Sequence, residues 1–98
     1  MKKSVLCYHT KVQPATLNKW IREGKYPSLI SMLLRYIKEE DFKAIDYDIM
    51  PCVPRADVVK IGIPIRTQDS WIKMPKDSWQ HRWLIVAKWA IAKGWVIV

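Results

Sequence analysis

Glycine, cysteine and histidine are scarce, with three, two and two among 98 residues. No Gly-rich phosphate loop and no nucleophile motif is present, and Ser, Cys and His never fall into a suggestive local arrangement. An enzyme is therefore not expected. Cys7 and Cys52 are too few and too isolated for a disulfide framework or a zinc site, and read as small buried thiols of a reducing cytoplasm. His9 and His81 lie far apart with no Cys or carboxylate at ligand spacing, so neither a metal nor another cofactor is expected. No low-complexity run and no repeat stand out. The apolar tail from Trp83 to Val98 is interrupted by Lys88 and Lys93 and is too short for a bilayer span. Its Trp and Lys residues also suit an interfacial helix, but no membrane partner is expected.

Acidic residues are the other shortage: nine against 17 lysines and arginines, a formal charge of +8. The excess is uneven, with +5 on residues 1–27, −2 on 28–50 and +5 on 51–98. A basic–acidic–basic layout suits a protein that binds a polyanion and keeps an acidic middle segment away from it. Half of the residues are apolar, enough for one domain with a modest core.

The most informative stretch is Thr10 to Pro27. Pro14 suits the first position of a helix and Gly24 the residue just past its end. Between them Leu17, Trp20 and Ile21 form one apolar stripe, opposite Thr16, Asn18, Lys19 and Arg22. Such a short helix, rooted by a tryptophan and showing a polar cationic face, has the form of a DNA recognition helix and equally that of an ordinary surface helix. Trp20, on the apolar stripe, is expected to fill the core rather than stack on bases.

Val12, Pro14, Thr16, Leu17, Trp20, Ile21, Arg22, Gly24 and Pro27 fall at the spacing Val-x-Pro-x-Thr-Leu-x-x-Trp-Ile-Arg-x-Gly-x-x-Pro. On these residues Val5–Pro27, about a quarter of the chain, resembles the small helix-turn-helix of MerR-like regulators and phage excisionases. Lys11 stands where that group usually has the turn glycine. The resemblance implies a second helix in the major groove, with Thr16, Asn18, Lys19 and Arg22 near base edges and Lys25 on backbone phosphate. Arg forks onto guanine, Asn onto adenine, and Lys neutralises phosphate.

Beyond Pro27 the group would place a hairpin wing. Here Ser28 reads as an N-cap, and Ile30, Leu33, Leu34 and Ile37 repeat at helical spacing, which predicts a helix over 28–41. Glu39 to Phe42 resembles the start of the helix that follows the wing. An acidic loop and a proline-bearing linker cover 46–56. The run Val58–Arg66 alternates β-branched residues with Lys, Gly and Pro, Thr67–Ser70 supplies turn chemistry, and Trp71–Met74 returns, which predicts a β-hairpin over 58–74. It would carry Lys60, Arg66 and Lys73 to a minor groove or to phosphates. A helix over 75–93 follows, with a second apolar patch at Ile85, Trp89 and Ala92, and a strand over 95–98.

These features predict a single α+β, winged-helix-like domain spanning 1–98, with the helix-turn-helix at 4–27. The expected function is sequence-specific binding of double-stranded DNA as an excisionase-type directionality factor or small regulator of a phage or mobile element. It would self-associate on DNA or work beside an integrase. The rival is a small phage inhibitor docking on a host protein through the Ile85/Trp89/Ala92 patch.

Overall fold

The segment expected to form a β-hairpin is helical, and no strand is present anywhere. In the computed structural model, which describes residues 1–98, seven helices follow one another: α1 (Lys3–Thr10), α2 (Pro14–Glu23), α3 (Pro27–Arg35), α4 (Glu39–Lys43), α5 (Arg55–Ile61), α6 (Ile65–Ile72) and α7 (Trp79–Ala92). The fold is all-α, not α+β. The apparent alternation from Ile61 to Ile65 is a chain reversal between two helices. Ile61 closes α5 on the core, Gly62 turns at φ 121°, Ile63 plugs the core from the turn, and Ile65 opens α6 facing outward. A strand would place all three isoleucines on one face. Here the first two are buried and Ile65 is 46% exposed.

The predicted helix over 28–41 divides. Pro27 takes the first position of α3, and α3 ends at Arg35. Ile37 is buried in the break before α4 begins at Glu39. At the other end, Ser78 rather than Pro75 starts α7, its hydroxyl accepting the His81 N–H at 3.3 Å. Gly94 ends it at φ 73°. The expected strand 95–98 is a hook: Trp95 donates its N–H to the Ala90 carbonyl at 2.8 Å, which tucks Val96 into the core and leaves Ile97 in solvent.

The chain is built twice over. α1, α2 and α3 form one three-helix unit, and α5, α6 and α7 form a second, with α4 and the linker between them. Twenty-one buried apolar residues form one core that spans both units, so the halves share an interior instead of standing as separate domains. Across the join α1 packs on α7 and α3 packs on α5. The buried stretch Trp83–Ala87 of α7 is enclosed all round, as expected of a helix with neighbours on every side. Ile85 is wholly buried there. Trp89 is half-buried and Ala92 exposed, so Ile85, Trp89 and Ala92 do not form one exposed patch.

Candidate nucleic-acid interface

α2 is held as its sequence predicts. Pro14 opens it, and Gly24 closes it at φ 71°, ψ 27°, with the Lys25 N–H donating to the Trp20 carbonyl at 2.8 Å. Leu17 and Trp20 are buried, and the Trp20 ring lies 5.0 Å from Tyr26, 5.6 Å from Trp79 and 5.1 Å from Trp83. Trp20 thus belongs to the core. Ile21 departs from the predicted stripe, being 41% exposed at the edge of the helix.

With Leu17 and Trp20 turned inward, Asn18, Lys19 and Arg22 lie in solvent, Thr16 is half-buried, and Lys25 is exposed just beyond the cap. Lys3 of α1 joins this face, its Nζ donating to Asn18 Oδ1 at 3.3 Å. Sequence reasoning missed Lys3, because no local pattern links residue 3 to residue 18. One carboxylate, Glu23, stands among these cations, 4.0 Å from Lys19 and 3.9 Å from Lys25. Exposed pairs of this kind are worth about 0–1 kcal/mol and yield readily to a phosphate. The acidic segment pairs elsewhere: Glu39 with His9 at 3.2 Å and with Lys43 at 3.5 Å, and Asp48 with Lys76 at 3.8 Å. The hydrogen bond from His9, aided by Lys43, holds the Glu39 carboxyl below its ordinary range.

The C-terminal end of α2 borders a cleft of about 700 Å³ whose far wall is the α5–α6 turn. Lys25 lines it from one side and Lys60, on the last turn of α5, from the other, with Thr67 and Trp71 of α6 along the wall. No acidic side chain lines it. Gly62 lies close to Tyr26 across it: a Cβ there would stand 3.3 Å from the Tyr26 ring. Tyr26 itself is left-handed, at φ 49°. Two residues assigned to phosphate from sequence, one by family resemblance and one as part of a wing, are thereby brought to one cleft. Arg66 and Lys73 do not line it. They are exposed near the start of α6 and just past its end, so the cations expected on a hairpin are carried by α5, α6 and the residue that follows.

The remaining polar groups serve the interior. Arg82 donates to the His9 carbonyl at 2.8 Å and lies 4.5 Å from the Tyr47 ring centroid. Burial pushes the Tyr47 hydroxyl up to about 12. Burial also raises the Cys7 thiol, whereas Cys52 is exposed, contrary to expectation. No three His, Cys, Asp or Glu side chains gather as a metal site would require, and no helix is long and apolar enough to cross a membrane.

No protein-family model, no curated protein and no solved structure matches this chain. What it does must be argued from the α2 face and the cleft beside it.

Proposed function

We propose that this chain is a small cytoplasmic, non-enzymatic protein that binds double-stranded DNA with sequence preference. It would act without a cofactor, as an excisionase-type accessory factor or transcriptional regulator of a phage or mobile element. α2 enters the major groove, where Arg22 and Asn18 reach base edges and Thr16 and Lys19 lie beside them. Lys25 and Lys60 hold the phosphate strand that runs along the cleft. The observation that carries this reading is an exposed Asn18, Lys19 and Arg22 face on a helix that ends at a cleft walled by two lysines and no acid. The helix-turn-helix resemblance of Val5–Pro27 supports the assignment of roles, and the accessory role in recombination or regulation rests on that resemblance alone. Several copies bound side by side, or a copy beside an integrase, would shape the DNA.

A gel-shift series with random and genomic duplexes at 50 and 200 mM salt tests the reading. Binding made of phosphate contacts weakens steeply between those concentrations. Arg22→Ala should lose sequence preference at a cost of about 1–3 kcal/mol, while Lys25→Ala should weaken all duplexes alike and lower the salt slope by about 1. Absence of any shift at the lower salt would sink it.

A further inference from the structure

The two three-helix units are copies of one motif, offset by 51 residues. Thr16, Trp20 and Ile21 of α2 coincide with Thr67, Trp71 and Ile72, Val12 with Ile63, and Arg22 with Lys73. The backbone agrees. Lys11 (φ 65°, ψ 9°) and Gly62 (φ 121°, ψ 14°) turn the chain at the same step, and the extended residues Gln13 and Pro64 then start α2 and α6. Burial agrees around the turn and at several sites of the second helix. Thr10 and Ile61, Val12 and Ile63, Leu17 and Gln68 are buried in pairs, whereas Ile21 and Ile72 are both exposed. The contacts between units, α1 on α7 and α3 on α5, exchange with one another when the copies are swapped. That is the signature of an isologous dimer interface, here within one chain.

We infer that α6 is a second DNA-contacting helix, and that α2 and α6 engage one unbroken stretch of duplex instead of two separated half-sites. This rests on the DNA-binding reading above and gives it a geometry. Arg66 and Ser70 on α6 and Lys73 just past its end are exposed, and the helix's one carboxylate, Asp69, is occupied by Arg55. The outward face is therefore cationic. The equivalent tryptophans Trp20 and Trp71 both contact one ring, Trp79, at 5.6 and 5.4 Å, and the end of α2 and the wall of α6 line the same cleft. Separate helix-turn-helix half-sites on one DNA face stand about 34 Å apart, yet the whole molecule measures 28 × 26 × 25 Å. One copy cannot span two such half-sites. It can place two neighbouring helices against a single turn of duplex, with Lys25 and Lys60 on the phosphates between them.

The experiment selects duplexes from a random library with the full chain, then footprints the winner and measures affinity across salt. A single protected block of roughly 10 base pairs per copy is expected. Arg66→Ala with Lys73→Ala should weaken the selected duplex at least about fivefold and lower the salt slope by about 2, with unchanged circular dichroism, while Lys43→Ala changes neither. If that pair of substitutions leaves affinity and slope intact while Arg22→Ala weakens binding, the second helix is refuted and the α2 reading stands. Two protected blocks separated by a full turn, from one copy, would refute the unbroken site. If no duplex binds at low salt, both readings fall together.

Discussion

The two halves of the molecule reach the same backbone by different chemistry. In the first, the reversal before α2 is made by Lys11 in the left-handed region, Leu17 fills the core, and Trp20 is almost wholly enclosed. In the second, glycine makes the reversal, and Gln68 takes the buried site, donating to the Ile63 carbonyl at 2.9 Å and the Arg55 carbonyl at 3.2 Å. Trp71 there is only half-buried. At these two sites the first unit packs more apolar surface, and it tolerates a strained turn. The second relaxes the turn and ties it down with hydrogen bonds. One backbone path is shared through common buried sites and two positive φ angles, with few identical residues.

The comparison can be broken most severely at the paired tryptophans. Trp20→Ala should cost about 3–5 kcal/mol in urea unfolding, as for other buried aromatics, and Trp71→Ala about 2 kcal/mol, because part of its ring already meets water. Equal losses would mean that the halves do not differ in packing. Next come the turns. Gly62→Lys imposes the first unit's residue on a φ of 121° and on the Tyr26 ring, and should destabilise by about 2–3 kcal/mol. The converse, Lys11→Gly, relieves a left-handed residue worth about 1–2 kcal/mol but adds chain entropy to the unfolded state, for a net gain of about 0.5–1 kcal/mol. A loss on Lys11→Gly would show that Lys11 makes contacts that outweigh its backbone strain.

The smallest effect is a pH dependence that originates at His81 in the second half. The 51-residue offset sets His81 against Ile30, both buried. Burial, with Lys76 adding to it, holds the His81 imidazole below its ordinary value, so the folded protein favours the neutral ring. That contribution is complete above the unfolded value near 6.5 and is lost as pH falls through the lowered one. Denaturation midpoints should drop between pH 7.5 and pH 5. The drop should shrink in His81→Gln and persist in Ile30→Val.

α2 was legible because its signals are local: a proline at the start, a glycine at the end, and Leu17 and Trp20 three apart between them. The second copy hid the same motif behind β-branched residues. Ile61-Gly62-Ile63-Pro64-Ile65 alternates like an edge strand, and only tertiary contact shows that Ile61 and Ile63 enter the core from a helix end and a turn. Burial of Val58 and Ile61 then outweighs the weak helix propensity of β-branched residues. The repeat is faint in the sequence, since Thr, Trp and Ile recur among otherwise unlike neighbours, and Gln68 stands where the first copy has leucine. Ile21 lies outside because a ten-residue helix with a narrow buried face leaves its third apolar residue in solvent. Nothing in residues 28–50 announced the break at Tyr36, where α3 stops and Ile37 turns inward ahead of the acidic α4.

Trp79 touches Trp20 on one side and Trp71 on the other, with ring planes inclined at 60° and 70°. Fixed aromatic packing of this kind is what near-ultraviolet circular dichroism records. The chain accordingly carries an optical gauge at the seam between its halves. Prising either helix from its seat dims a band that helical content, followed in the far ultraviolet, leaves almost untouched.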